Sequence, residues 1–166
     1  MSTPRRPARE GEALVIGLGN RYRRDDGAGL AVAAEVGAAH LPGVAVTELE
    51  GEPVSLIDAW DGARLVYLAD AVSSGGEPGA VYRCDAADGL PPAPLRHRGT
   101  HAFSVADVVE LGRALHRLPP QLIIYGIEGA DFSAGTGLSH PVAQAVGAVV
   151  KRLVSELTVA GGQGAG

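Results

Sequence analysis

The sequence holds one cysteine, Cys84. That excludes an internal disulfide and fits a reducing compartment, with the thiol expected to lie buried as a small apolar group. Aromatic residues are scarce as well: one Trp, two Phe and four Tyr make up 4% of 166 residues. The 46% hydrophobic fraction therefore falls on aliphatic and small side chains, which suits tight helix-on-sheet packing better than an aromatic-rich sandwich. Basic charge is short too, with 14 Lys and Arg against 19 Asp and Glu and a net charge of -5. Such a surface offers no field for holding phosphate backbones, so nucleic acid is not an expected partner. No apolar run approaches the roughly 20 residues of a membrane span, and the run Ala13 to Leu18 is cut by Gly17 and Gly19. The expectation is a cytoplasmic protein without a membrane partner. Neither a Gly-x-Ser-x-Gly elbow nor a Cys/His pair offers a covalent nucleophile.

What is present reads as one α/β domain of residues 13–159, between a polar, Arg/Pro-rich tail (1–12) and a Gly-rich tail (160–166), both expected to be disordered. Leu14–Leu18, Val44–Leu49 and Arg64–Ala69 read as strands, separated by helices. In the first helix Leu30, Ala33, Ala34 and Gly37 recur at helical spacing, with Asp26 as its amino cap. In the second, Pro53 takes the first position and Val54, Leu56, Ile57 and Trp60 form the buried side. The link Ser73–Gly79 is too short for a parallel crossover, so Ala80–Cys84 should run antiparallel. Ser104 and Asp107 form a capping box for a helix through Leu115, Gln121–Ile127 is a fifth strand, and Pro141 opens a last amphipathic helix. The fold class is thus a three-layer α/β sandwich: a mixed, mostly parallel five-stranded sheet with helices on both faces.

Parallel first, third and fifth strands would bring their carboxyl ends to one edge, carrying Asp25, Asp26, Asp70 and Glu128. A helix running back to deliver the fifth strand must begin there, which adds His101. Two carboxylates and an imidazole from separate loops suit a borderline divalent metal such as zinc, nickel or iron. Each residue also has a plainer reading, Asp25 and Asp26 as helix caps, Asp70 as a structural hydrogen-bond acceptor, His101 as a loop residue. Arg21, Arg23 and Arg24 read as neutralising the acids nearby, with substrate steering as the other reading. The pair Gly17-x-Gly19 resembles the start of a dinucleotide fingerprint, but Tyr22 stands where its third glycine belongs.

Four ordered blocks carry a more specific resemblance: Gly17-Leu18-Gly19-Asn20 with Asp25-Asp26-Gly27-Ala28-Gly29; Leu68-Ala69-Asp70-Ala71-Val72; Thr100-His101; and Gly126-Ile127-Glu128 with Gly135-Thr136-Gly137-Leu138-Ser139. From Leu14 to about Leu153 the chain resembles the hydrogenase maturation endopeptidases, which trim the carboxyl-terminal extension from the large subunit of nickel-iron hydrogenases. The resemblance implies a metal-dependent, aspartyl-type peptide hydrolase whose metal-contacting and catalytic set is Asp26, Asp70 and His101. Asp25, Gly51 and Glu128 follow as substrate contacts. The nickel would be presented by the hydrogenase precursor, the partner, rather than held at rest, and the protease would act as a monomer. Many members carry Gly-Gly-Thr after the second strand where this chain has Glu50-Gly51-Glu52-Pro53. The alternative is a non-proteolytic chaperone or metal-sensing module that binds the same large subunit.

Overall fold

The computed structural model describes residues 11–89, 91–96 and 103–163. Five strands form one sheet: β1 (Ala13–Leu18), β2 (Val44–Leu49), β3 (Leu65–Val72), β4 (Val81–Asp85) and β5 (Gln121–Glu128), in spatial order β2-β1-β3-β5-β4. β1, β2, β3 and β5 are mutually parallel, and β4 pairs antiparallel with β5. Four helices complete the fold: α1 (Ala28–Ala38), α2 (Pro53–Trp60), α3 (Val105–Ala114) and α4 (His140–Gln163). Among the described residues no helix is long and apolar enough to cross a membrane.

Side chains alternate across a strand, and the central strands are apolar on both sides, so each face supports its own core. Leu14, Ile16, Val66, Leu68, Leu122 and Ile124 pack under α2 and α3. Val15, Tyr67, Ala69, Ile123, Tyr125 and Ile127 pack under α1 and α4. Trp60 anchors the first core: it is buried, and its indole N–H donates to the Arg117 carbonyl at 2.7 Å, tying α2 to the turn after α3.

Several details depart from the sequence reading. α1 turns Val32, Ala33 and Val36 inward and leaves Ala34 exposed. Val54 is exposed, because Glu52 caps α2 through bonds from the Val54 and Ser55 amides and sets the helix phase with Leu56, Ile57 and Trp60 inside. β3 and β5 run past their expected ends to include Asp70 and Glu128. α4 continues to Gln163, beyond the 159 boundary. The box of Ser104 and Asp107 on α3 is present with both bonds.

From the neighbouring strands β1 and β3 the chain proceeds in opposite directions across the sheet, toward β2 on one side and toward β5 and β4 on the other. That is the switch point at which open α/β sheets form a crevice at their carboxyl ends. Close packing brings α1 into that crevice. A Cβ on Gly29 would collide with the carbonyl oxygens of Leu18 and Ala69, and one on Gly17 with Gly29 and Ala33. The glycines of the first block therefore serve backbone contact, not a phosphate cradle.

Candidate active site at the carboxyl edge

Asp26 lies in a 3-10 turn, Arg24–Gly27, that leads from β1 toward α1 and packs against β3. It does not cap α1: the cap position falls on Gly27, with no side-chain bond. The Asp26 carboxylate instead turns back and accepts the Asn20 amide at 2.9 Å, with only 1% of the residue exposed. Gly19, at φ 142°, makes this fold-back feasible, since a Cβ there would strike the Asp26 carbonyl oxygen. The backbone thus assigns the cap position to Gly27 and leaves the Asp26 carboxylate off it.

Asp70 sits near the end of β3, opposite Gly126 of β5, and is half-buried. By strand alternation it shares the α2/α3 side with Leu68 and Val72. There it lines a cavity of about 30 Å³ together with Gly51, Leu56, Phe103 and Ser104, enough for one water molecule. Ser104 and Val105 bring the start of α3 to this cavity, as expected of a helix that begins at the carboxyl edge. A wider depression of about 390 Å³ adjoins it, lined by Tyr22, Glu48, Glu52 and Ser55, and Glu50 borders both. His101 lies outside the described residues.

The two other acids of the edge are buried and richly bonded. Asp25 is fully buried, and its Oδ2 accepts the amides of Ala130 (2.8 Å) and Asp131 (2.9 Å) and the Ser139 hydroxyl (2.8 Å). Its Oδ1 accepts the Ser139 amide at 2.7 Å. Burial pushes this carboxyl up, but the amides of Ser139, Ala130 and Asp131 and the Ser139 hydroxyl outweigh it, and it stands below its ordinary value. Glu128 is 1% exposed and accepts the Ser74 amide (2.8 Å) and hydroxyl (2.7 Å), the Gly76 amide (3.1 Å) and the Tyr82 hydroxyl (3.2 Å). Nothing in the sequence ties these acids to Ser139 or Ser74. The partners lie 114 and 54 residues away, and only the sheet order brings them together.

Two of the basic residues of the first loop pair with acids outside it. Arg21 pairs with Glu48 at 2.7 Å and Arg24 with Asp131 at 3.6 Å, both on the surface, where such pairs contribute little. Cys84 is half-buried, and burial, followed by the nearby Asp85, pushes its thiol up to about 11, so it stays protonated at neutral pH and is no nucleophile. Among the described residues no three His, Cys, Asp or Glu side chains stand close enough to hold a metal ion. Asp26 and Asp70 offer carboxylate oxygens of a kind that suits a borderline metal, but the described residues alone do not complete a centre.

A sequence model of the hydrogenase maturation proteases of the HycI type matches residues 38–156, a span that contains Gly51, Asp70, His101 and Glu128. The chain belongs to the hydrogenase maturation protease family. Its activity is accordingly that of a peptidase. In sequence it is 25% identical over 154 residues to protein MJ0253 of Methanocaldococcus jannaschii, whose own designation as a hydrogenase maturation protease is provisional. That match spans 88% of this chain and 96% of the other. In structure it resembles an endopeptidase from Escherichia coli, with a TM-score of 0.77 and 20% identity over 90% of this chain and 94% of that one. The hydrogenase maturating endopeptidase HybD of the same organism gives a TM-score of 0.71 and 19% identity over the same shares. At these identities the likeness establishes the fold, and it is the mixed five-stranded α/β sandwich expected from the sequence.

Proposed function

We propose that this protease removes the carboxyl-terminal extension of a nickel-iron hydrogenase large-subunit precursor, in the cytoplasm and after nickel has been inserted. Asp26, Asp70 and His101 contact the nickel that the precursor presents. The observation that carries this reading is the placement of Asp70 on the wall of a small cavity at the switch point, beside the strand-to-helix turn that holds Asp26. Two carboxylates and an imidazole leave coordination positions for the substrate's own ligands, which suits recognition of a metal already bound elsewhere. Nickel held by the precursor supplies positive charge that polarises the scissile carbonyl. Water then adds its hydroxyl to that carbonyl carbon and its proton ends on the departing amine, giving a shortened subunit and a free peptide. A carboxylate facing the cavity is suited to accept that proton on its way.

The test is mass spectrometry of a nickel-loaded precursor before and after incubation. The wild-type protein should shorten it. Asp70→Asn and His101→Ala should retain wild-type circular dichroism and lose trimming by a factor on the order of 10²–10⁴, the usual contribution of a positioned acid–base group. Normal trimming by both variants overturns the assignment. A stable complex with the wild-type protein and an unchanged precursor mass would instead make the chain a binding module that does not cut.

A further inference from the structure

We infer that Asp25 is a positioning residue that acts through Asp26, and that it does so by binding the 129–139 loop to the turn on which Asp26 stands. The sequence makes Asp25 and Asp26 adjacent acids of apparently equal standing, yet the fold divides them. Asp25 accepts four hydrogen bonds, all from Ala130, Asp131 and Ser139. The backbone repeats the attachment: the Asp25 amide donates to the Asp131 carbonyl (2.9 Å), the Arg24 amide to the Gly135 carbonyl (3.1 Å) and the Gly135 amide to the Tyr22 carbonyl (2.9 Å). Arg23 and Gly135 form an isolated parallel bridge.

These bonds fasten the segment from Tyr22 to Asp25 to a loop that itself leaves the end of β5. A 3-10 turn of four residues has few internal bonds of its own, and its conformation depends on what surrounds it. Asp26 is the next residue in that turn, and its carboxylate is held at the Asn20 amide. With Asp25 anchored on one side and Asn20 receiving the carboxylate on the other, Asp26 has a fixed address at the crevice. A carboxylate that is fully buried and bonded four times within the protein fixes position; direct contact with a peptide would require those bonds to break first.

The inference rests on the proposed protease reading for its kinetic arm only. Hydrogen exchange by NMR on the full chain supplies an independent arm, because protection of the Asn20 amide reports where the Asp26 carboxylate stands, and Asp26→Ala calibrates the unprotected value. Asp25→Asn, which sets an amide NH₂ against the loop's donors, should accelerate exchange at Asn20, Ala130, Asp131 and Ser139 by about tenfold or more, while Leu68 and Ile124 keep wild-type protection. On a nickel-loaded precursor it should lower kcat on the order of tenfold to a hundredfold with KM within about twofold, the pattern of a misplaced reacting group. Ser139→Ala removes one hydroxyl donor, keeps the carboxylate, and should give the same pattern at a smaller amplitude; it decides the matter if Asp25→Asn fails to fold. A raised KM with unchanged kcat makes Asp25 a direct substrate contact and overturns the inference, as does unchanged kcat with wild-type protection at Asn20. If the wild-type protein does not trim the precursor, the protease reading falls, and the Asn20 amide alone decides whether Asp25 positions Asp26.

Discussion

The carboxyl edge of the sheet has two halves built on different terms. On one, Asp25 and Glu128 sit inside the protein and each accepts four hydrogen bonds, Asp25 from the 130–139 loop and Glu128 from Ser74 and Gly76 of the loop after β3 and from Tyr82 of β4. On the other, Glu50 and Gly51 of the turn after β2 and Phe103 and Ser104 at the start of α3 line a cavity that Asp70 also faces. The same residue type at the same kind of position, an acid where a parallel strand ends, therefore does two jobs. Where loop amides converge on it the carboxylate is a fastener, and at Asp70 the acid lines a cavity that a small molecule can enter. The fastened half holds its loops at fixed positions, and under the proposed function the open half is the face from which the precursor approaches.

Stability measurements on the fastened half test this division most severely. Glu128→Ala removes a buried acceptor carboxylate and leaves the half-buried donors of Ser74 and Tyr82 and the exposed Gly76 amide without it, each group that water does not reach costing about 1–3 kcal/mol. The expected loss is about 3–5 kcal/mol in urea unfolding, among the largest single-residue effects available in such a domain. Glu128→Gln keeps one oxygen acceptor and should lose about 1–3 kcal/mol. A loss below about 1 kcal/mol for Glu128→Ala would mean that water replaces the carboxylate without difficulty, and the distinction between fastened and open halves would fall.

This division was the least legible part of the molecule from sequence, and the reasons are physical. The strands were readable because β1, β3 and β5 are buried on both faces and so present continuous apolar runs. The start of α3 was readable because its capping box is local, Ser104 and Asp107 being three residues apart. The inward face of α1 was not, because Ala28 to Ala38 is almost entirely small or apolar and carries no polar stripe to mark its phase. Close approach of Gly29 to Leu18 and Ala69 sets that phase instead. Asp26 was expected to cap α1 since an acid ahead of an apolar helix normally does, but the 3-10 turn moved the cap to Gly27. For Asp25 and Glu128 the deciding partners are far away in sequence, so only the sheet order identifies them. Asp70 stands out in the sequence because it follows a fully apolar strand and precedes Ala71-Val72, a position where a carboxylate is partly buried and requires a partner.

A middle-sized effect is expected at Gly51 on the open half. Its φ of 98° disfavours any residue with a Cβ, yet among the described residues, its chain neighbours aside, no atom lies within 4 Å of where that Cβ would stand. Gly51→Ala should thus cost only backbone strain, about 1–2 kcal/mol of unfolding free energy, with nothing added for steric collision. A loss of 3 kcal/mol or more, on the scale of buried-group losses, would show that this turn is packed as tightly as the fastened loops.

The smallest effect on stability, and the most informative on function, belongs to Phe103. It is 54% exposed and lines the cavity that contains Asp70. An isolated exposed ring needs no explanation by itself, but one at the mouth of the candidate site offers apolar surface to whatever enters. Phe103→Ala removes little that is buried in the free protein, so unfolding free energy should stay within about 0.5 kcal/mol of wild type. A docked precursor that covers the exposed half of the ring removes roughly 100 Å² from water, and at about 25 cal/mol per Å² that amounts to at most about 2–3 kcal/mol. A phenyl ring supplies no acid, base or metal ligand, so its removal weakens binding of the ground state and the transition state alike. KM for the nickel-loaded precursor should rise by about threefold to thirtyfold with kcat unchanged. An unchanged KM would mean that the precursor approaches by another face, and the open half would lose its claim as the docking side even if Asp70 kept its place in the chemistry.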